Sequence, residues 1–237
     1  MRSVRCPVAV RGPEEPVYAL TLPFDTRGQR LWGAVPWLRP DSRKARLSAT
    51  PDKQQLLTEA LAREGEAHRL LLEGEDESAR VPLREAAELY RRSWESAGPR
   101  SFGRLIGIVK TSVLAGGGAE EAAYVRRELG DDADSPTGWY ALALAALVAG
   151  DDELARRSAE EMREGGEAFA RTADAIDALA AGERDRYAAA LRAIVEDFET
   201  RDQHVTGVAI ADTAAVLERV AAGRGIAAGV TSPLLPR

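Results

Sequence analysis

Cysteine, lysine, histidine and long apolar runs are what this 237-residue chain has least of. Its one cysteine, Cys6, excludes an intramolecular disulfide and a thiolate metal cluster. Its two histidines, His68 and His204, form no i, i+4 pair, so no zinc pattern exists. Of the three lysines, Lys44, Lys53 and Lys110, none follows a glycine-rich phosphate loop of the G-x-x-x-x-G-K-[ST] type. No cofactor and no metal are therefore expected. No stretch approaches the roughly 18 apolar residues that a membrane span needs, so no membrane partner is expected. The first residues, Met1 to Cys6, lack the apolar core of a secretory signal, which makes a cytoplasmic location the expectation.

What is present fits a soluble globular chain: 45% hydrophobic and 30% charged residues. Arginine and alanine are abundant, which reads as genome bias and carries no function. Charge divides the chain. Residues 1–50 carry 9 basic and 4 acidic residues, the remainder 23 and 34. An acidic body is a poor ligand for nucleic acid, whose binding depends on neutralising phosphates. The basic segment Arg39, Arg43, Lys44 and Arg46 reads as a solvated linker lying on that body, with an anion contact as the alternative.

Residues 1–50 also hold six of the 12 prolines and little helical periodicity. Val17–Leu22 and Arg30–Val35 have strand-like composition around an Asp25–Gly28 turn. They are expected to form either a short β-hairpin, anchored by Trp32 and Trp37, or an extended arm.

From Pro51 to Gly223 the periodicity is helical, and about nine helices are expected, followed by a tail over 224–237. Two consecutive hairpins between Pro136 and Phe198 are the clearest. Ser135-Pro136 is a cap followed by proline at the first helical position. The helix behind it, Trp139 to Val148, is apolar on nearly every side, as in a helix buried between neighbours. Gly150 ends it, Asp151 or Asp152 caps the next, and Gly182 repeats the turn 32 residues on. Pro82 is expected in the first turn of the second helix, where its missing N–H does no harm. Gly65 reads as a weak point in the first helix. The last helix is expected over Asp202–Ala222.

Spacings of 33 and 32 residues between Gly117, Gly150 and Gly182 are those of a helical repeat. Trp139, Leu142, Ala143, Gly150, Asp151 and Ala155 fall where a tetratricopeptide repeat prefers an aromatic, Leu, a small residue, Gly, Asp and Ala. The body over 51–223 thus resembles that family. The resemblance implies an all-α, TPR-like α-solenoid of antiparallel hairpins that binds a protein or peptide partner on a concave face. The proline expected after the second helix is missing. The ending, Val208–Ala214, then Arg224-Gly225-Ile226, then Ser232-Pro233-Leu234-Leu235-Pro236, also resembles Imm49-type immunity proteins. That resemblance implies a non-enzymatic protein that neutralises a toxin by binding it.

Other motifs carry little. Gly223–Ala228 fits G-x-G-x-x-A but follows a helix, where a dinucleotide site follows a strand. Asp131, Asp132 and Asp134 lack the glycine and closing Glu of a calcium loop. Glu153 with Arg157 and Arg156 with Glu160 have the spacing of ion pairs on a wet helix face. No serine has a context for nucleophilic catalysis.

One acid stands out. On a helix over 202–222, Val205, Val208, Ala209 and Val216 share a face with Asp212 at its centre, and the opposite face is apolar too. A buried carboxylate must be paired. Arg219 lies two turns on along the same line, and His204 lies nearby. Asp212 is therefore either a structural ion-pair partner or, with His204 and Arg219, a ligand contact. Trp139 is either core or contact. The expected function is a non-catalytic scaffold for a protein or peptide, with toxin immunity and a small helical enzyme as alternatives.

Overall fold

The computed structural model describes residues 52–98, 100–130 and 133–236. The expectations for residues 1–50 lie outside this range. Among the described residues there are nine α-helices and no strand: α1 Lys53–Glu73, α2 Asp76–Glu95, α3 Gly103–Leu114, α4 Ala119–Leu129, α5 Pro136–Ala149, α6 Asp152–Met162, α7 Glu167–Ala180, α8 Arg184–Glu199 and α9 Asp212–Gly223. None of them is long and apolar enough to cross a membrane.

Local chemistry explains several boundaries. Ser135 Oγ accepts the Gly138 N–H at the start of α5, and Asp151 Oδ1 accepts the Leu154 N–H at the start of α6. Between them Gly150 takes φ 77°, a left-handed conformation that ends α5 without a side-chain clash. α5 buries Tyr140 and every residue from Ala141 to Leu147. Its neighbour α6 turns only Leu154, Ala155, Ser158, Ala159 and Met162 inward.

Three sequence expectations are corrected. α2 starts at Asp76, with Asp76 and Glu77 suiting its N-terminal dipole, so Pro82 lies inside the helix and is buried there. Arg156 donates across to Asp177 on α7 at 2.8 Å, and Glu160 accepts from Arg163 one turn on at 2.8 Å, in place of the expected pair between Arg156 and Glu160. The last helix begins at Asp212, ten residues later than its periodicity implies; residues 200–211 form an irregular segment with Gly207 at φ 72°.

Each helix from α1 to α8 packs on the next, and α3, α5 and α7 also contact one another in succession. α9 packs on α3, α7 and α8. The tail returns over it: Ala211 N–H donates to Leu234 O, and Glu218 accepts the Tyr187 hydroxyl and the backbone N–H groups of Ala228 and Gly229. The irregular segment and the start of α9 are thereby held opposite α1, α3 and α7, where they enclose a cavity.

Candidate functional site

The cavity measures about 390 Å³ and is bounded by residues of α1, α2, α3, α5, α7, α8, the 200–211 segment and α9. Two close approaches shape it. A Cβ on Gly65 would lie 3.0 Å from Thr206 O, so the glycine that reads as a weak point in α1 lets the irregular segment pass against it. A Cβ on Gly107 would lie 2.7 Å from the Tyr90 ring, so a glycine on α3 lets that ring lie flat enough to reach α1.

The floor is a network of buried polar groups. Lys110 Nζ donates to Asp212 Oδ2 and to Thr213 Oγ1, each at 2.8 Å. Thr213 Oγ1 also lies 3.2 Å from the Tyr140 hydroxyl. Asp212 Oδ1 accepts the Thr213 N–H at 2.8 Å, so the carboxylate sits at the first turn of α9, where the helix dipole favours negative charge. Burial alone would lower the Lys110 pKa, but the Asp212 carboxylate, with Tyr140 and Glu64, more than offsets it and the ammonium stays charged. Burial likewise would raise Asp212, yet Lys110 holds it below the usual carboxylate range. The pair is an internal salt bridge with its remaining atoms satisfied, the condition under which such a pair is tolerated.

Next to it lies a pair of opposite character. Glu64 and His68 are one helical turn apart on α1, 5% and 1% exposed. The Tyr90 hydroxyl donates to Glu64 Oε2 at 2.5 Å. Burial, together with the charge on Asp212, pushes the Glu64 carboxyl up to about 7. Burial pulls the His68 imidazole down to about 4. His68 Nδ1 pairs with Thr206 Oγ1 at 3.1 Å, while its Nε2, 3.7 Å from Glu64 Oε1, has no hydrogen-bond partner among the described residues. An unpaired buried nitrogen costs about 1–3 kcal/mol.

At the mouth, Asp197 on α8 accepts from two guanidinium groups, Arg171 on α7 and Arg201. The Arg201 guanidinium lies 3.8 Å from the Phe198 ring centroid, a cation–π stack. His204 also lies by Phe198, the ring centroids 6.2 Å apart, with Nδ1 buried and without a partner among the described residues. Val205 beside it is 85% exposed. Phe169, Ile194, Phe198 and Val208 supply apolar wall.

Two of the four sequence-derived candidates, Asp212 and His204, line this cavity. Arg219 does not reach Asp212: it donates to Asp76 at the start of α2, because α9 begins at Asp212 and turns Arg219 toward that helix. Trp139 is half-buried against the hydrophobic core and outside the cavity lining. Sequence reasoning passed over Lys110, Glu64, His68, Tyr90, Tyr140, Arg171 and Arg201. Lys110 carried a readable signal, one of three lysines set within the apolar run Leu105–Leu114.

Chemically, Glu64 can hold or release a proton near neutral pH, and His68 Nε2 can accept or donate a hydrogen bond. Lys110 is charged and engaged, so it is not positioned as a base or nucleophile. No cluster of three or more His, Cys, Asp or Glu that could hold a metal ion exists among the described residues. No known protein family, curated protein or solved structure matches this chain.

Proposed function

We propose that the chain is a TPR-like helical-repeat scaffold whose partner site has been narrowed to a small-molecule pocket. The repeat reading is supported by the contacts of α3, α5 and α7 in succession, with α4, α6 and α8 between them in sequence, and by the matching turns at Gly150 and Gly182. In such repeats the inner helices line the face that holds a partner. Here α9 packs against α3 and α7 of that layer and residues 200–211 pass against α1, leaving the 390 Å³ cavity, which lies within the usual range of small-ligand sites.

The observation that carries the reading is His68 Nε2, a polar atom on a 1% exposed side chain lining the cavity with no partner in the described protein. A ligand polar group within hydrogen-bond reach of Nε2 from the cavity side would recover that cost. The role is binding: Lys110, Asp212 and Thr213 satisfy one another, while His68 Nε2 is left open to a ligand.

A thermal-shift screen of a fragment library of mixed charge tests the proposal. Ligands should raise the Tm of the wild-type chain and lose that effect in Ala168→Trp, a bulky substitution at an exposed lining position. A library without stabilising fragments, or one whose fragments act equally on both proteins, refutes it.

The exposed Val205 favours a second reading, in which a protein partner covers the mouth, as an immunity protein would cover a toxin. Val205→Glu would abolish such an interface and leave fragment binding deeper in the cavity intact.

A further inference from the structure

We infer that the ligand of this cavity is an anion with an apolar body, its charge received at the mouth by Arg171 and Arg201. The inference rests on the small-molecule reading above and adds the ligand's class. Its basis is an imbalance of charge. On the floor, the Lys110 ammonium and the Asp212 carboxylate cancel at 2.8 Å. At the mouth, two guanidinium groups share one carboxylate, Asp197. The other acid near Arg171, Glu167, is 3.6 Å from Nη1 and 95% exposed, so solvent screens it. Glu64 is protonated over much of the acidic-to-neutral range and adds no full negative charge there. A cation would face Lys110, Arg171 and Arg201 against carboxylates that already have partners.

The geometry also holds the guanidinium groups ready. Asp197 takes Arg201 through Nε at 3.0 Å and through Nη2, leaving Nη1 without a protein partner among the described residues. Stacking on Phe198 fixes the plane of the same group. Arginine so fixed offers a single charge-assisted hydrogen bond from Nη1 to a carboxylate or similar oxyanion. Behind the mouth, Phe169, Ile194, Phe198 and Val208 present no charge, which suits a hydrocarbon or aromatic body.

Isothermal titration of the full chain at pH 6.0, where Glu64 keeps its proton, with octanoate, octanol and octylamine separates the possibilities, since the three share one body and differ in head group. Octanoate should bind about tenfold tighter than octanol, the lower end for a charge-assisted contact at a half-exposed arginine, and octylamine weakest. Arg201→Gln and Arg171→Gln should each bring octanoate toward the level of octanol while octanol itself is unchanged; far-UV circular dichroism checks that both variants fold. Octanol or octylamine binding as tightly as octanoate overturns the anion inference and leaves the small-molecule reading standing. An octanoate advantage that survives both substitutions also overturns it. No binding of any of the three overturns the inference and the reading together.

Discussion

Replacing Lys110 with methionine keeps most of the side-chain volume and removes one charge. Asp212 is then left with the Thr213 N–H at 2.8 Å and a side chain only 21% exposed. Breaking a buried pair from one side costs about 3–5 kcal/mol; partial exposure and the retained N–H place Lys110→Met at about 3 kcal/mol. Adding Asp212→Asn removes the stranded charge, and the double variant should return to within about 1 kcal/mol of the wild type, so the coupling in a double-mutant cycle is about 2 kcal/mol plus whatever Asp212→Asn costs alone by stranding the ammonium. Urea unfolding at pH 7 measures all four proteins. The pH dependence gives an independent sign. In the wild type Asp212 titrates below its ordinary value, so its contribution is present above that value and is lost as pH falls through the lowered one. In Lys110→Met the main lowering influence is gone, and burial, opposed by the Thr213 N–H and by His68, raises Asp212, so acidification should restore stability. Single variants that each cost under about 1 kcal/mol and simply add, or a Lys110→Met protein that loses stability on acidification as the wild type does, would refute the pairing.

Two further outcomes follow from the same floor. Glu64, raised from 4.5 to about 7, keeps a proton that the unfolded chain has lost, so its contribution to stability falls as pH rises through that window. His68, lowered from 6.5 to about 4, refuses a proton that the unfolded chain accepts, so its contribution rises with pH across its own window. The two oppose each other where they overlap. Relative to the wild type, His68→Asn should show stability falling between pH 4.5 and 6.5, and Glu64→Gln stability rising, each by at most about 1.4 kcal/mol per pH unit; variants that both follow the wild-type profile contradict the assignment. Gly107→Ala should destabilise by about 1–2 kcal/mol in urea unfolding, since overpacking against Tyr90 outweighs the gain in helix propensity of about 1 kcal/mol. A stabilised Gly107→Ala protein would mean that Tyr90 can move without loss.

The parts of the fold readable in the sequence are those set by neighbours in sequence. Ser135-Pro136, Gly150 and Asp151 mark the ends of α5 and α6 because caps and left-handed glycines act within a few residues. The same reasoning misplaced the start of α9. Val205, Val208 and Ala209 have helical spacing, but Val205 and Ala209 are solvent-exposed and Gly207 turns the chain, so only Val208 packs inward and the spacing marks no helix face. The cavity was less legible for a related reason. Lys110 and Asp212 are 102 residues apart, and Tyr90 and Glu64 are 26 apart on different helices. No periodicity encodes which apolar-helix lysine meets which helix-start acid. Glu64 and His68, at i and i+4, look from sequence like any pair on a wet face; Tyr90 reaching Glu64 and Thr206 reaching His68 across Gly65 cover them in the fold. Arg219 was drawn toward Asp212 by that longer helix, and its actual partner, Asp76, belongs to a segment 143 residues away.

The central claim, that this cavity is where a ligand binds, is tested most directly by methyl nuclear magnetic resonance during an octanoate titration. The account predicts saturable shifts of the Ile106, Ile194 and Val208 methyl signals, all from the cavity lining, with Val81, exposed on α2 outside it, unmoved. Shifts that leave those three signals in place, or that move Val81 alongside them without saturating, would contradict it.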